Sequence, residues 1–142
     1  MVRRALAIDE QSYGPDHPNV ARDLNNLAEL LRATNRLAEA EPLYRRALAI
    51  DERSYGPDHP NVATDLNNLA QLLQATNRMA AAEPLMRRAV EIFLKFTRAT
   101  GHPHPHLQDA VNNYVALLQA RGRSEEQIQA TLREMAPEFF SE

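Results

Sequence analysis

Shifting the chain by 42 residues lays residues 3–44 on residues 45–86 with 35 of 42 positions identical. The seven differences are Gln11/Arg53, Arg22/Thr64, Glu29/Gln71, Arg32/Gln74, Leu37/Met79, Glu39/Ala81 and Tyr44/Met86. A unit this short cannot bury its own apolar face. It does so by stacking on its neighbours, so a tandem repeat of this period predicts an array of like units.

The periodicity inside the unit sets its secondary structure. Val20, Leu24, Leu27, Ala28 and Leu31 follow the i, i+4, i+7, i+8, i+11 spacing of one helical face, and Val62, Leu66, Leu69, Ala70 and Leu73 repeat it. A weaker third copy, Leu107, Val111, Tyr114, Val115 and Leu118, appears at an offset of 45. Leu37, Ala40, Tyr44 and Ala47, flanked by Leu43 and Ile50, form the stripe of a second helix. Met79, Ala82, Met86 and Ala89 repeat that stripe.

The breaks recur too. Gly14-Pro15-Asp16-His17-Pro18 returns as Gly56-Pro57-Asp58-His59-Pro60 and as Gly101-His102-Pro103-His104-Pro105. Here Gly-Pro ends one helix, Asp16 or Asp58 is expected to cap the next, and the following Pro suits its first turn. The shorter breaks centre on Asn35, Asn77 and Gly122, residues that tolerate the left-handed conformation at a helix C-terminus.

These signals predict seven helices, at 2–13, 18–33, 38–55, 60–75, 80–99, 105–121 and 124–135. Pro42 and Pro84 fall inside two of them, where a kink or late start is expected. Glu41 and Glu83 are placed to pair with Arg45 and Arg87 at i+4. Ser124-Glu125-Glu126-Gln127 reads as a capping box, and Ile128, Leu132 and Met135 give the last helix its apolar face. Phe93, Phe96, Phe139 and Phe140 are expected to close the carboxy-terminal end of the core.

The chain is all-α, built as stacked antiparallel helical hairpins. Residues 1–14 are a second-type helix without its own first helix, 15–56 and 57–100 are two repeats, and 101–142 are a degenerate third repeat and cap. Such a beginning implies either a longer array or a face of helix 2–13 covered by another chain, and so self-association through that helix.

Leu24-Asn25-Asn26-Leu27-Ala28, Ala38-Glu39-Ala40-Glu41-Pro42-Leu43-Tyr44-Arg45-Arg46-Ala47-Leu48 and Gly56-Pro57-Asp58-His59-Pro60-Asn61-Val62 resemble the tetratricopeptide repeat in its 42-residue, kinesin-light-chain-like form. The resemblance runs over residues 3–123, closely to residue 92 and loosely beyond. It implies a right-handed α-solenoid whose first helices line a concave groove for extended peptides. A Pro in the second helix is also a habit of that family.

Opposite the core, the first helices carry Arg22, Asn25, Asn26, Glu29 and Arg32, then Thr64, Asn67, Asn68, Gln71 and Gln74, then Asp109, Asn112, Asn113 and Gln119. By the resemblance, Asn26, Asn68 and Asn113 form a ladder across the groove. A carboxamide both donates and accepts, so it can pair with peptide backbone whatever the side chains are. The alternative for the Asn pairs is a hydrogen bond to the neighbouring hairpin. Three of the seven repeat differences, Arg22/Thr64, Glu29/Gln71 and Arg32/Gln74, lie on this stripe. Drift at exposed positions accounts for them as well as divergence of task does. Arg22 and Arg32 would favour an acidic side chain at the amino-terminal end.

Composition sets the remaining expectations. Net charge is −3, which does not suggest nucleic acid, and the recurrent Arg pairs read as a salt-bridged solvated face. There is no Cys, hence no disulfide, thiolate metal site or Cys nucleophile. No apolar run approaches the ~20 residues of a membrane span, and the amino terminus meets acid too early for a signal peptide. A cytoplasmic protein without cofactor or metal is expected. His102, His104 and His106 are spaced as metal ligands, but His104 aligns with the turn residues His17 and His59, and no Cys or close carboxylate completes a set. Ser12, Ser54, Ser124 and Ser141 lie in turns and ends with no triad suggested, and no phosphate-binding Gly loop exists. The expected activity is non-enzymatic: protein or peptide binding, or else a structural part of a larger protein such as a repeat-bearing signalling ATPase.

Overall fold

The computed structural model describes residues 2–140. Eight helices follow in order: α1 Val2–Tyr13, α2 Pro18–Ala33, α3 Leu37–Tyr55, α4 Pro60–Ala75, α5 Met79–Thr100, α6 Leu107–Ala120, α7 Glu125–Met135 and α8 Pro137–Phe140. Helices α2 with α3, and α4 with α5, form tight hairpins, and each hairpin packs on the next through α3 on α4 and α5 on α6. Helix α1 packs on α2 as α3 does on α4. Among the described residues there is no strand.

The predicted apolar stripes are the core. Val20, Leu24, Leu27, Ala28 and Leu31 are buried, as are Val62, Leu66, Leu69, Ala70 and Leu73. One cluster runs from α2 to the carboxy-terminal end, and a smaller one joins Val20, Ala21 and Leu24 to Ala47 and Ile50. Ile128 and Leu132 seat α7, whose capping box is present. The short α8 was not foreseen, and Phe139 on it is 44% exposed rather than closing the core.

The turns show why the pentapeptide recurs. The N-cap is His17, not Asp16: its Nδ1 accepts the Asn19 backbone N–H at 3.0 Å, and His59 does the same for Asn61. Each imidazole also stacks on the tyrosine that ends the preceding helix, Tyr13–His17 at 4.5 Å and Tyr55–His59 at 4.4 Å. The ring thus caps one helix and packs on another, which a carboxylate cannot do. The displaced aspartates reach the next second-type helix, Asp16 to Arg53 at 2.9 Å and Asp58 to Lys95 at 2.8 Å. The shorter turns close as expected, with Asn35 and Asn77 at φ 62° and Gly122 at φ 84°.

Pro42 and Pro84 sit inside helices that start at Leu37 and Met79, so neither helix starts late. Glu41 does pair with Arg45 at 3.0 Å and also with Arg78. Glu83 instead leaves its own helix for Arg121 at 2.6 Å and Arg123 at 3.1 Å. Arg46 and Arg88 hold Glu10 and Glu52 of the preceding second-type helix, and both donate to turn carbonyls, those of Pro15 and Pro57. The Arg pairs therefore serve partly as stitches between repeats.

One core position is imperfect. The Tyr44 hydroxyl is buried without a hydrogen-bond partner, and Met86 occupies the same register in the next repeat. Tyr44→Phe is expected to keep or raise stability by up to about 1 kcal/mol, because it removes an unpaired buried group. Thermal denaturation checks this, and a loss of stability would show that the hydroxyl is satisfied.

Candidate functional site: the first-helix stripe and its acid pairs

The sequence-predicted stripe stays together and stays open. Arg22, Asn26 and Glu29 on α2, Thr64 on α4, and Asp109, Asn112 and Gln119 on α6 are exposed. Asn25, Arg32, Asn67, Asn68, Gln71, Gln74 and Asn113 are partly buried. Their partners sort them. Asn25 donates Nδ2 to Asp65 Oδ1 at 2.8 Å across the repeat boundary, so it is the neighbouring-hairpin alternative realised. Arg32 reaches Gln71 Oε1 at 3.1 Å, tying α2 to α4 on this same face. Arg22 lies against Asp9 at 3.3 Å and Asp23 at 3.6 Å. Asn112 accepts from Gln108 at 2.9 Å. Among the described residues, the Asn26, Asn68 and Asn113 carboxamides make no side-chain hydrogen bond within the molecule.

Two acid pairs beneath the stripe escaped the sequence reading. Asp23 and Asp65 are buried at 3% and 2% exposure, and Asp51 at 6%. Asp9 lies close enough to Asp23, and Asp51 to Asp65, to raise the neighbour's pKa, each pair joining a second-type helix to the following first-type helix. Burial, then the hydrogen bond and charge of Asp51, push Asp65 up to about 9, against a smaller opposing effect of the Asn25 amide. Burial and Asp9 raise Asp23 to about 6, with Arg22 pulling the other way. At the second boundary a carboxyl raised this far holds its proton at neutral pH, which lets two acids occupy one interface, whereas the first pair has Arg22 beside it. The third boundary carries Phe93 and Ala110 at this register, both fully buried. The signal in sequence was Asp at 9, 23, 51 and 65 inside otherwise apolar faces, and the repeat alignment could have exposed it.

The histidines do turn work. His104 packs on Phe93 and Phe96 at 4.6 and 5.0 Å, and its Nδ1 accepts the His106 N–H at 3.0 Å. Burial and the neighbouring His106 lower the His104 pKa. Among the described residues no group of three or more His, Asp or Glu gathers as metal ligands. No described helix is long and apolar enough to cross a membrane. Ser141 lies outside the described residues.

Comparison with known proteins places this geometry. The tetratricopeptide repeat family profile matches residues 1–53 and 24–95. No curated protein matches the chain in sequence. The crystal structure of BtubC (BKLC) from P. vanneervenii is similar at a TM-score of 0.80 and 25% identity, over 96% of this chain and 53% of that one. A Podosopora anserina protein described as a kinesin light chain of nearly identical TPR-like repeats is similar at 0.78 and 23%, over 94% of this chain and 62% of that one. The chain thus spans a little over half the length of the solved structures it matches. The common ground is a right-handed solenoid of helical hairpins.

Proposed function

The chain belongs to the tetratricopeptide repeat family, and on that premise we propose that it is a non-enzymatic protein-interaction scaffold that holds an extended peptide along the concave face of its first helices. One observation carries this reading. Asn26, Asn68 and Asn113 recur at one register on α2, α4 and α6, at least partly exposed, with carboxamides that no described side chain or backbone group occupies. Their neighbour Asn25 is spent on Asp65, so in the first pair one member serves architecture and the other stays free for recognition, whereas Asn112 is bonded only within its own helix. An unoccupied carboxamide can accept a peptide N–H and donate to a peptide carbonyl, a pattern insensitive to side chains. Specificity then falls to the residues between the rungs. Of the two arginines expected to draw acidic side chains, Arg22 is engaged by Asp9 and Asp23 and Arg32 by Gln71, which reduces what they offer. The absence of Cys suits a cytoplasmic setting.

The test is binding to an array of short peptides, with Asn26, Asn68 and Asn113 changed to Ala in parallel. Selective binding that the triple change weakens at least ~10-fold without lowering Tm is the expected result. Binding indifferent to the change would overturn the reading.

A second reading, self-association, has its own observation. Ala5 is exposed and Ile8 is 51% exposed, whereas Ala47 and Ile50 at the same register of α3 are buried against Val20, Ala21 and Leu24. In this reading a second copy covers that face. Sedimentation then shows a dimer that Ile8→Lys converts to monomer, and a wild-type monomer at high micromolar concentration sinks the idea.

A further inference from the structure

The two near-identical repeats differ in how they answer their acid pairs. In the first, Asp9 and Asp23 face Arg22, whose Nη2 lies 3.3 Å from one carboxylate and 3.6 Å from the other. Shifted by 42 residues, Asp51 and Asp65 keep their places while Arg22 becomes Thr64. The Thr64 hydroxyl turns back to the Pro60 carbonyl at 3.3 Å and offers the acids nothing. Beside Thr64 there is an open cleft of ≈ 210 Å³ lined by Arg22, Asn25, Asn26, Asp51, Thr64 and Asp65 among others. The Asp65 Oδ2 is buried and meets no donor among the described residues, as does Asp23 Oδ2 in the first repeat, so what separates the two pairs is the guanidinium beside the first and the open cleft beside the second.

We propose that this cleft between α2 and α4 binds the guanidinium of an arginine side chain on the bound peptide, seated over Asp51 and Asp65 as Arg22 is seated over Asp9 and Asp23. The inference rests on the groove reading above for how the peptide arrives. The first repeat supplies the ligand chemistry, since it is the same acid pair with its cation built in. A planar guanidinium can bridge two carboxyl oxygens with parallel N–H donors, which an ammonium cannot match. The other charged groups nearby are already matched: Glu52 holds Arg88 at 3.1 Å, and Arg22 has its own two aspartates. The third boundary, with Phe93 and Ala110, offers no such site. Binding has a proton balance. The carboxyl proton held by Asp65 in the free protein leaves to solvent as the guanidinium takes over as donor, so arginine binding strengthens as pH rises.

The experiment titrates the full chain, carbon-13 labelled, with acetyl-Gly-Arg-Gly-amide and with its citrulline twin, which has the same shape and no charge. The carboxyl resonances of Asp51 and Asp65 are followed. The arginine peptide should shift both to saturation and bind at least ~10-fold more tightly than the citrulline peptide. Thr64→Arg places the built-in cation at an exposed position and should abolish the response. Arg22→Thr should add a second, equivalent site at Asp9 and Asp23. Equal binding of the two peptides, no saturable shift, or binding undiminished in Thr64→Arg overturns the proposal. Peptide binding that needs Asn68 and Asn113, which lie outside the cleft, but ignores arginine leaves the groove and removes the cation site. Arginine-dependent shifts that persist with Asn68 and Asn113 changed to Ala keep the cation site and remove the groove.

Discussion

Asp65→Asn is expected to raise stability by about 1–3 kcal/mol at pH 8 and to change it little near pH 4. The sign follows from linkage. Asp65 is raised from 3.8 to about 9 in the folded chain, so between those values the folded state keeps a proton that the unfolded state gives up. Its favourable contribution is complete below about 4, declines as pH rises through neutrality, and is gone above about 9. The carboxamide introduced by Asp65→Asn would keep the geometry of the protonated acid, accepting from Asn25 and donating to Asp51, without a proton to lose. Asp23, raised to about 6, gives a weaker and earlier decline. Opposed to both, Glu41 and Glu83 are held low by Arg78 and Arg45 and by Arg121 and Arg123, so their contributions fade only on acidification. The readout is therefore the difference between variant and wild type, measured by urea unfolding from pH 4 to 9. A difference that stays flat with pH would show that Asp65 ionises normally.

Leu72→Ala is expected to cost about 2–5 kcal/mol, while Leu30→Ala, the same residue one repeat earlier, costs under about 1 kcal/mol. Leu72 is fully buried and belongs to the central cluster, whereas Leu30 is 51% exposed. Beside Leu30 lies an open apolar hollow of ≈ 320 Å³ lined by Val2, Leu27, Leu31 and Thr34 among others. Chemical denaturation of both variants decides it, and similar losses would mean that something covers Leu30 in solution.

What the sequence alone determined is the repeating frame. Periodic Leu, Val and Ala fix which face of each helix turns inward, and the left-handed residues Asn35, Asn77 and Gly122 fix where the helices stop. Both are local properties, set by the 3.6-residue turn and by backbone sterics. The stripe from Arg22 to Gln119 was legible for the same reason, since side chains off the core face must point elsewhere. Only the tertiary structure decided how those side chains are spent. Asn25 and Asn26 are adjacent and identical, yet one bonds Asp65 on the next hairpin and the other makes no side-chain hydrogen bond among the described residues. His17 takes the cap that Asp16 could have filled, because a tyrosine one helix back offers its ring a face. Asp51 and Asp65 are separated in sequence and read as ordinary surface acids until stacking closes water away from them. Burial and proton sharing depend on what a neighbouring repeat brings within reach, and one repeat cannot encode that by itself.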